Sequence, residues 1–98
     1  MTDALAPLSG FQRDLLWTLA HDGASKGTAV KASLEDYYEE DVNHGRLYTN
    51  LDALVDAGLV AKSTRDRRTN EYQLTDLAHD ALAEWSRWEG TPDAGVPA

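Results

Sequence analysis

Asn43–Leu74 reads NHGRLYTNLDALVDAGLVAKSTRDRRTNEYQL, and this stretch decides the fold. Asn43 is suited to cap a helix, because its side-chain oxygen can accept from backbone N–H groups left unpaired in a first turn. Leu47, Leu51, Leu54 and Val55 follow at i, i+4, i+7 and i+8, which lays one apolar stripe along a helix from Asn43 to Ala57. Gly58 stands where a left-handed C-terminal cap is required. Leu59–Thr64 and Glu71–Leu74 are short extended runs, separated by the charged turn Arg65-Asp66-Arg67-Arg68-Thr69-Asn70. Helix, strand, basic turn, strand is the outline of a winged helix-turn-helix, with the turn as the wing.

The flanking chain supplies the other helices. Met1–Leu8 is a short polar lead-in. Ser9 caps a first helix over about 10–21, with Phe11, Leu15, Leu16 and Leu19 on one face, and Gly23 ends it. Ala24–Gly27 is a loop with brief strand character. A second helix over about Thr28–Glu40 turns Val30, Leu34, Tyr37 and Tyr38 inward. Its end carries Glu35, Asp36, Glu39, Glu40 and Asp41, an acidic face that reads as solvated rather than as a cation site. Asp41–Val42 forces a tight connection into the helix after Asn43. Thr75 caps a last helix over 76–89, and the Gly/Pro-containing tail 90–98 is expected to be disordered. The fold class expected is mainly α with a small β-wing: a three-helix core, a two-stranded hairpin and a C-terminal dimerisation helix. Residues 9–75 would form the winged domain, preceded by the lead-in 1–8.

Composition bounds the function. Ninety-eight residues without a cysteine form one domain, with neither disulfides nor thiolate chemistry. No apolar run reaches the roughly 18 residues of a membrane span, and the start lacks a basic-then-apolar signal, so a cytoplasmic location is expected. The net charge is −8, unfavourable for a nucleic-acid binder taken as a whole. The charge is segregated, however. Residues 43–72 hold five basic and four acidic side chains, net +1, and the rest of the chain holds four and thirteen, net −9. Three lysines against eleven aspartates is the bias of proteins kept soluble in a very salty cytoplasm.

Opposite its leucines the helix after Asn43 carries His44, Gly45, Tyr48, Thr49 and Asp52, and Arg46 beside them suits either a phosphate or, with the helix rotated to allow it, a bidentate contact to guanine. Small and polar groups at a helix start suit close approach to phosphates and base edges in a major groove. Asp52 and Asp56 would repel phosphates, so contact should fade after the second turn. Arg65, Arg67 and Arg68 at a hairpin tip suit phosphate or minor-groove contact. DNA-facing residues are therefore expected to be Asn43, His44, Gly45, Arg46, Tyr48, Thr49, Arg65, Arg67 and Arg68. In the last helix Leu77, Ala78, Ala81, Leu82, Trp85 and Trp88 form a face expected to bury against a second copy. A dimer would address two half-sites about one helical turn apart.

Catalytic signals are weak. His21, His44 and His79 have no histidine or cysteine at ligand spacing, and neither a phosphate loop nor a nucleophile elbow is present. Neither an enzyme, a metal nor a cofactor is expected. Two classes of function remain: a dimeric regulator of transcription on double-stranded DNA, and a winged-helix module that meets a protein of the transcription machinery. A small-molecule effector is compatible with the first.

The ordered motifs Gly45-Arg46-Leu47-Tyr48, Leu51-Asp52-Ala53-Leu54-Val55, Gly58-Leu59-Val60 and Tyr72-Gln73-Leu74-Thr75 resemble those of the PadR-like winged-helix transcriptional regulators. Leu8–Asp14, Leu34–Tyr38 and the turn at 65–70 are similar to those of the halophilic archaeal type in particular. The resemblance spans roughly Leu8–Trp88. It implies a homodimer joined largely through the C-terminal helix, binding duplex DNA through the third helix and the wing. Many relatives have a longer C-terminal helical region than this chain's single helix and tail.

Overall fold

A computed structural model describes residues 4–64, 66 and 69–90, the last three by backbone alone. The chain runs α1(Gly10–Asp22), β1(Ser25–Lys26), α2(Gly27–Tyr38), α3(His44–Asp56), β2(Val60–Thr64), β3(Asn70–Leu74) and α4(Asp76–Gly90). This is the winged helix expected from Asn43–Leu74, mainly α with a small β-wing. The sheet has one more strand than the hairpin alone. β1 pairs antiparallel with β3 on the side away from β2, giving the order β1-β3-β2. Two residues, Ser25 and Lys26, make this strand, within the stretch read as having brief strand character; so short a run does not show which strand it pairs with.

Each of three helices starts where a side chain satisfies its first N–H groups. Ser9 accepts from the Gln12 N–H, and the Gln12 side chain accepts from the Ser9 N–H, both at 3.1 Å, a reciprocal capping box. Asn43 accepts from the Arg46 N–H at 2.9 Å. Thr75 accepts from the Ala78 N–H at 3.2 Å. α3 ends in a Schellman arrangement: the Leu59 N–H reaches the Leu54 carbonyl and the Gly58 N–H reaches that of Val55, each at 3.0 Å. Gly58 sits at φ +79°, where a side chain would be strained. The Gly58 carbonyl accepts from the Thr75 hydroxyl at 2.7 Å, so one threonine caps α4 and ties it to the α3–β2 corner.

α2 is shorter than its periodicity suggests. It stops at Tyr38 because Glu39 turns left-handed at φ 58°. Glu35 then closes the corner into α3. Its carboxylate accepts from Lys31 Nζ and from the Val42 N–H, each at 2.9 Å, and these bonds hold its pKa below the usual carboxylate range.

The core lies where α1, α2 and α3 meet the sheet. Leu15, Leu16, Leu19, Val30, Leu34, Leu47, Leu51, Leu54, Leu59, Val60 and Tyr72 are all buried, and Leu74, Ala78, Ala81 and Leu82 extend the core under α4. Leu5, from the lead-in, is fully buried as well. Arg13 fixes that segment by donating to the Leu8 carbonyl at 2.9 Å and the Leu5 carbonyl at 3.5 Å, and its guanidinium lies 5.1 Å from the Trp85 ring centroid. Tyr37 departs from expectation: it is 73% exposed. At about 100° per residue Tyr37 lies near the direction of Val30 and Tyr38 near that of Leu34, so periodicity does not choose between them. Tyr38 goes inward instead, stacking on Phe11 and donating its hydroxyl to the Asp14 carboxylate.

Burial, then the hydrogen bond to Asp14, raises the pKa of Tyr38 well above its ordinary value of 10, and burial also raises that of Tyr72. The folded chain thus holds both protons more tightly than the unfolded chain. The stability they contribute is fully present below about pH 10 and is lost as pH rises further. In a spectrophotometric alkaline titration, Tyr38 and Tyr72 should ionise late and together with unfolding. Their ionisation near the ordinary value of 10, with the fold intact, would contradict these environments.

Candidate nucleic-acid interface

α3 buries Leu47, Leu51 and Leu54 and turns the start of its other face to solvent. His44, Gly45, Arg46 and Thr49 are exposed there. Asn43 stands at the head of this face with its oxygen engaged in the cap. The His44 and Tyr48 rings lie with centroids 4.5 Å apart. A helix start of this kind presents unpaired N–H groups and the positive end of the helix dipole beside small side chains, which suits anionic oxygens.

Tyr48 is less free than its neighbours. It is half-buried, 6.5 Å from the Tyr72 ring, and it lies over Gly27 at the start of α2. A Cβ on Gly27 would come within 2.6 Å of the Tyr48 ring. The absent side chain of Gly27 is therefore what seats Tyr48, and the ring joins α2, α3 and β3. Farther along the helix, Asp52 lies 3.8 Å from Lys62 of β2, and Lys62 Nζ lies 5.9 Å from the Tyr72 ring centroid. The second half of α3 is thus tied to the wing by an exposed ion pair, which is worth little to stability.

Arg65, Arg67 and Arg68, expected at the wing tip, lie outside the described residues, as do residues 91–98 of the tail. Between these arginines, the Asp66 carboxylate accepts from the Thr69 N–H at 3.0 Å.

Two residues that sequence reasoning passed over bear on this face. Gln12 donates to the Asn50 side-chain oxygen at 3.0 Å, and Asn50 donates to the Arg46 carbonyl at 2.8 Å. The spacing Ser9-Gly10-Phe11-Gln12 carries the capping-box signature that marks Gln12. Asn50 has no comparable signal, since its partner lies 38 residues away.

On α4 the expected dimer face divides. Ala78, Ala81 and Leu82 are 0, 1 and 4% exposed within the chain's own core, whereas Leu77 is 50% exposed. Trp85 is half-buried, and the side chain of Trp88 lies outside those described. An open hollow of about 680 Å³ is lined by Asp14, Trp17, Asp22 and Tyr37 among others, reaches Ser86 of α4 and touches no residue of α3. Among the described residues no group of three or more histidine or acidic side chains could hold a metal ion, and no helix is long and apolar enough to cross a membrane.

Residues 15–84 match the model of the transcriptional regulator PadR-like family. The chain belongs to that family. Among solved structures it is similar to RosR of H. salinarum, with 46% identity over 96% of this chain and 84% of that one, at a TM-score of 0.85. A complex of the same protein, hsRosR-S1, matches at 47% identity over 99% and 83%, with a TM-score of 0.86. A mutant MarR from E. coli, complexed with operator DNA, shares the fold: 20% identity, 88% of this chain and 59% of that one, TM-score 0.74. No curated protein matches the chain significantly. This PadR-like chain is thus a DNA-binding transcriptional regulator on a winged helix, and its acid-rich, lysine-poor composition fits the halophilic archaeal type.

Proposed function

We propose that the PadR-like chain binds duplex DNA as a homodimer, sets the start of α3 in the major groove and the wing arginines on the backbone or minor groove, and represses by blocking promoter access. It acts in the cytoplasm, by binding rather than by catalysis. One observation carries this reading: His44, Gly45, Arg46 and Thr49 stand exposed together at the N-terminal end of a helix whose leucine face is wholly buried. The MarR mutant bound to operator DNA has the same fold. For the dimer, the support is Leu77, a large apolar side chain half exposed on α4, with Trp85 and Trp88 farther along the same helix.

The test is binding to fragments of the gene's own upstream region, in potassium chloride of about 1 M with excess competitor DNA, since dilute salt exaggerates nonspecific attraction. A site-specific complex with two protomers per site is expected. Replacing Arg67 and Arg68 by alanine should weaken that complex about tenfold or more. Its affinity should also become less steeply salt-dependent, by up to about 0.9 in slope for each phosphate that is no longer neutralised. A folded dimer with no specific complex at any salt would overturn the reading in favour of a protein partner.

A further inference from the structure

Arg46 is exposed, yet its guanidinium carbon lies 3.9 Å from the centroid of the Phe11 ring. The ring beneath it is fixed. Phe11 is 6% exposed on α1 and stacks on Tyr38 with centroids 6.3 Å apart and planes 29° from parallel. Among the described residues the guanidinium makes no hydrogen bond. Its five N–H donors lie in one plane, and the contact with a hydrocarbon ring supplies none of them with an oxygen acceptor. The backbone beneath is fixed too, because Gln12 of α1 grips Asn50 and Asn50 grips the Arg46 carbonyl. Gln12 is itself locked by the Ser9 N–H. The start of α1 therefore holds the first two turns of α3 at two points, one on a side chain and one on the backbone.

Resting on the reading that the start of α3 faces DNA, we infer that Arg46 is a pre-oriented clamp for a backbone phosphate of the duplex, with Phe11 as its seat and Gln12 and Asn50 as positioning residues. An arginine that reads guanine must extend beyond its helix into the groove. Arg46 is folded back onto α1, on the flank where a phosphate chain passes a helix lying in the groove. Seating the side chain before binding lowers the ordering cost of the contact. The planar fork of guanidinium suits two phosphate oxygens at once.

The experiment uses the full chain, a duplex selected by it from random-sequence DNA, and an unrelated duplex, across a potassium chloride series. Arg46→Ala should weaken both duplexes by a similar factor, about tenfold, and lower the salt slope by about 0.9. Phe11→Leu should weaken both about two- to fivefold, the strength of an exposed cation–π contact, and should cost nothing further in an Arg46→Ala background. Should Phe11→Leu fail to fold, Arg46→Lys tests the same seat. It keeps the charge and the salt slope but removes the flat fork, and affinity should again fall. A weakening confined to the selected duplex would make Arg46 a base reader and overturn the proposal. So would effects of Phe11→Leu and Arg46→Ala that multiply, or full affinity in Arg46→Lys. The pair His44→Glu and Thr49→Glu separates the underlying reading. If these weaken binding while Arg46→Ala does not, the clamp alone is wrong; if they leave binding intact, α3 is not the DNA face and the clamp falls with it.

Discussion

Leu51→Ala should lower the free energy of unfolding by about 2–5 kcal/mol. Leu51 is fully buried at the centre of the α3 stripe, with Leu47 one turn before it and Leu54 one turn after. α1, α2 and β2 all pack against α3, so the surroundings cannot collapse into the gap without moving a whole element. The cost combines the transfer of the missing methyl groups with a residual cavity. A domain of this size is stabilised by about 5–15 kcal/mol in total, so the variant should unfold at a clearly lower denaturant concentration with an unchanged slope. DNA binding should fall in parallel near the transition, because the exposed face of α3 exists only while its buried face is docked. A shift of less than about 1 kcal/mol would mean that α3 packs loosely on the core.

Gly27→Ala should destabilise too, for the opposite reason. The added methyl would meet the Tyr48 ring at 2.6 Å, well inside contact distance, and overpacking of this kind costs about 1–3 kcal/mol. Two responses are open to the fold. α2 can shift away from α3, or Tyr48 can swing outward and uncover Tyr72, 6.5 Å from it. Either response disturbs the start of α3, so the selected duplex should bind more weakly even where the protein remains folded. A double-mutant cycle isolates the contact. In a Tyr48→Ala background, Gly27→Ala should be neutral or slightly stabilising, because alanine narrows the unfolded ensemble. An equal cost in both backgrounds would show that Gly27 is needed for a reason other than Tyr48.

The arrangement of Gly27 and Tyr48 also marks a limit of what the sequence discloses. Tyr48 reads as DNA-facing from its place opposite the leucines, on the strength of helical periodicity. Periodicity cannot show that α2 begins directly above the ring, because that depends on the angle between two helices. The same limit applies to Tyr37 and Tyr38. Adjacent aromatics on an amphipathic helix both read as inward, and only the presence of Phe11 and Asp14 from α1 selects Tyr38. On α4, Ala78, Ala81 and Leu82 read as a face for a partner copy, yet the chain's own core buries them. The packing of α4 on α1 and β3 places them there.

What the sequence determined by itself was local. The caps Ser9, Asn43 and Thr75, the stripe Leu47–Leu51–Leu54, the positive-φ corner at Gly58 and the basic turn after Thr64 each act through neighbours within a few residues. Together they specify helix, strand, turn and strand in that order. The tertiary structure decided what depends on contact between distant segments. It added β1 to β3 through the pairing of Ser25 with Tyr72, seated Tyr48 on Gly27, laid Arg46 on Phe11 and linked Gln12 to Asn50. Hydrogen bonds and periodic burial within one element leave a pattern in consecutive residues. Contacts between elements depend on how helices cross, and crossing is settled only when the whole core packs.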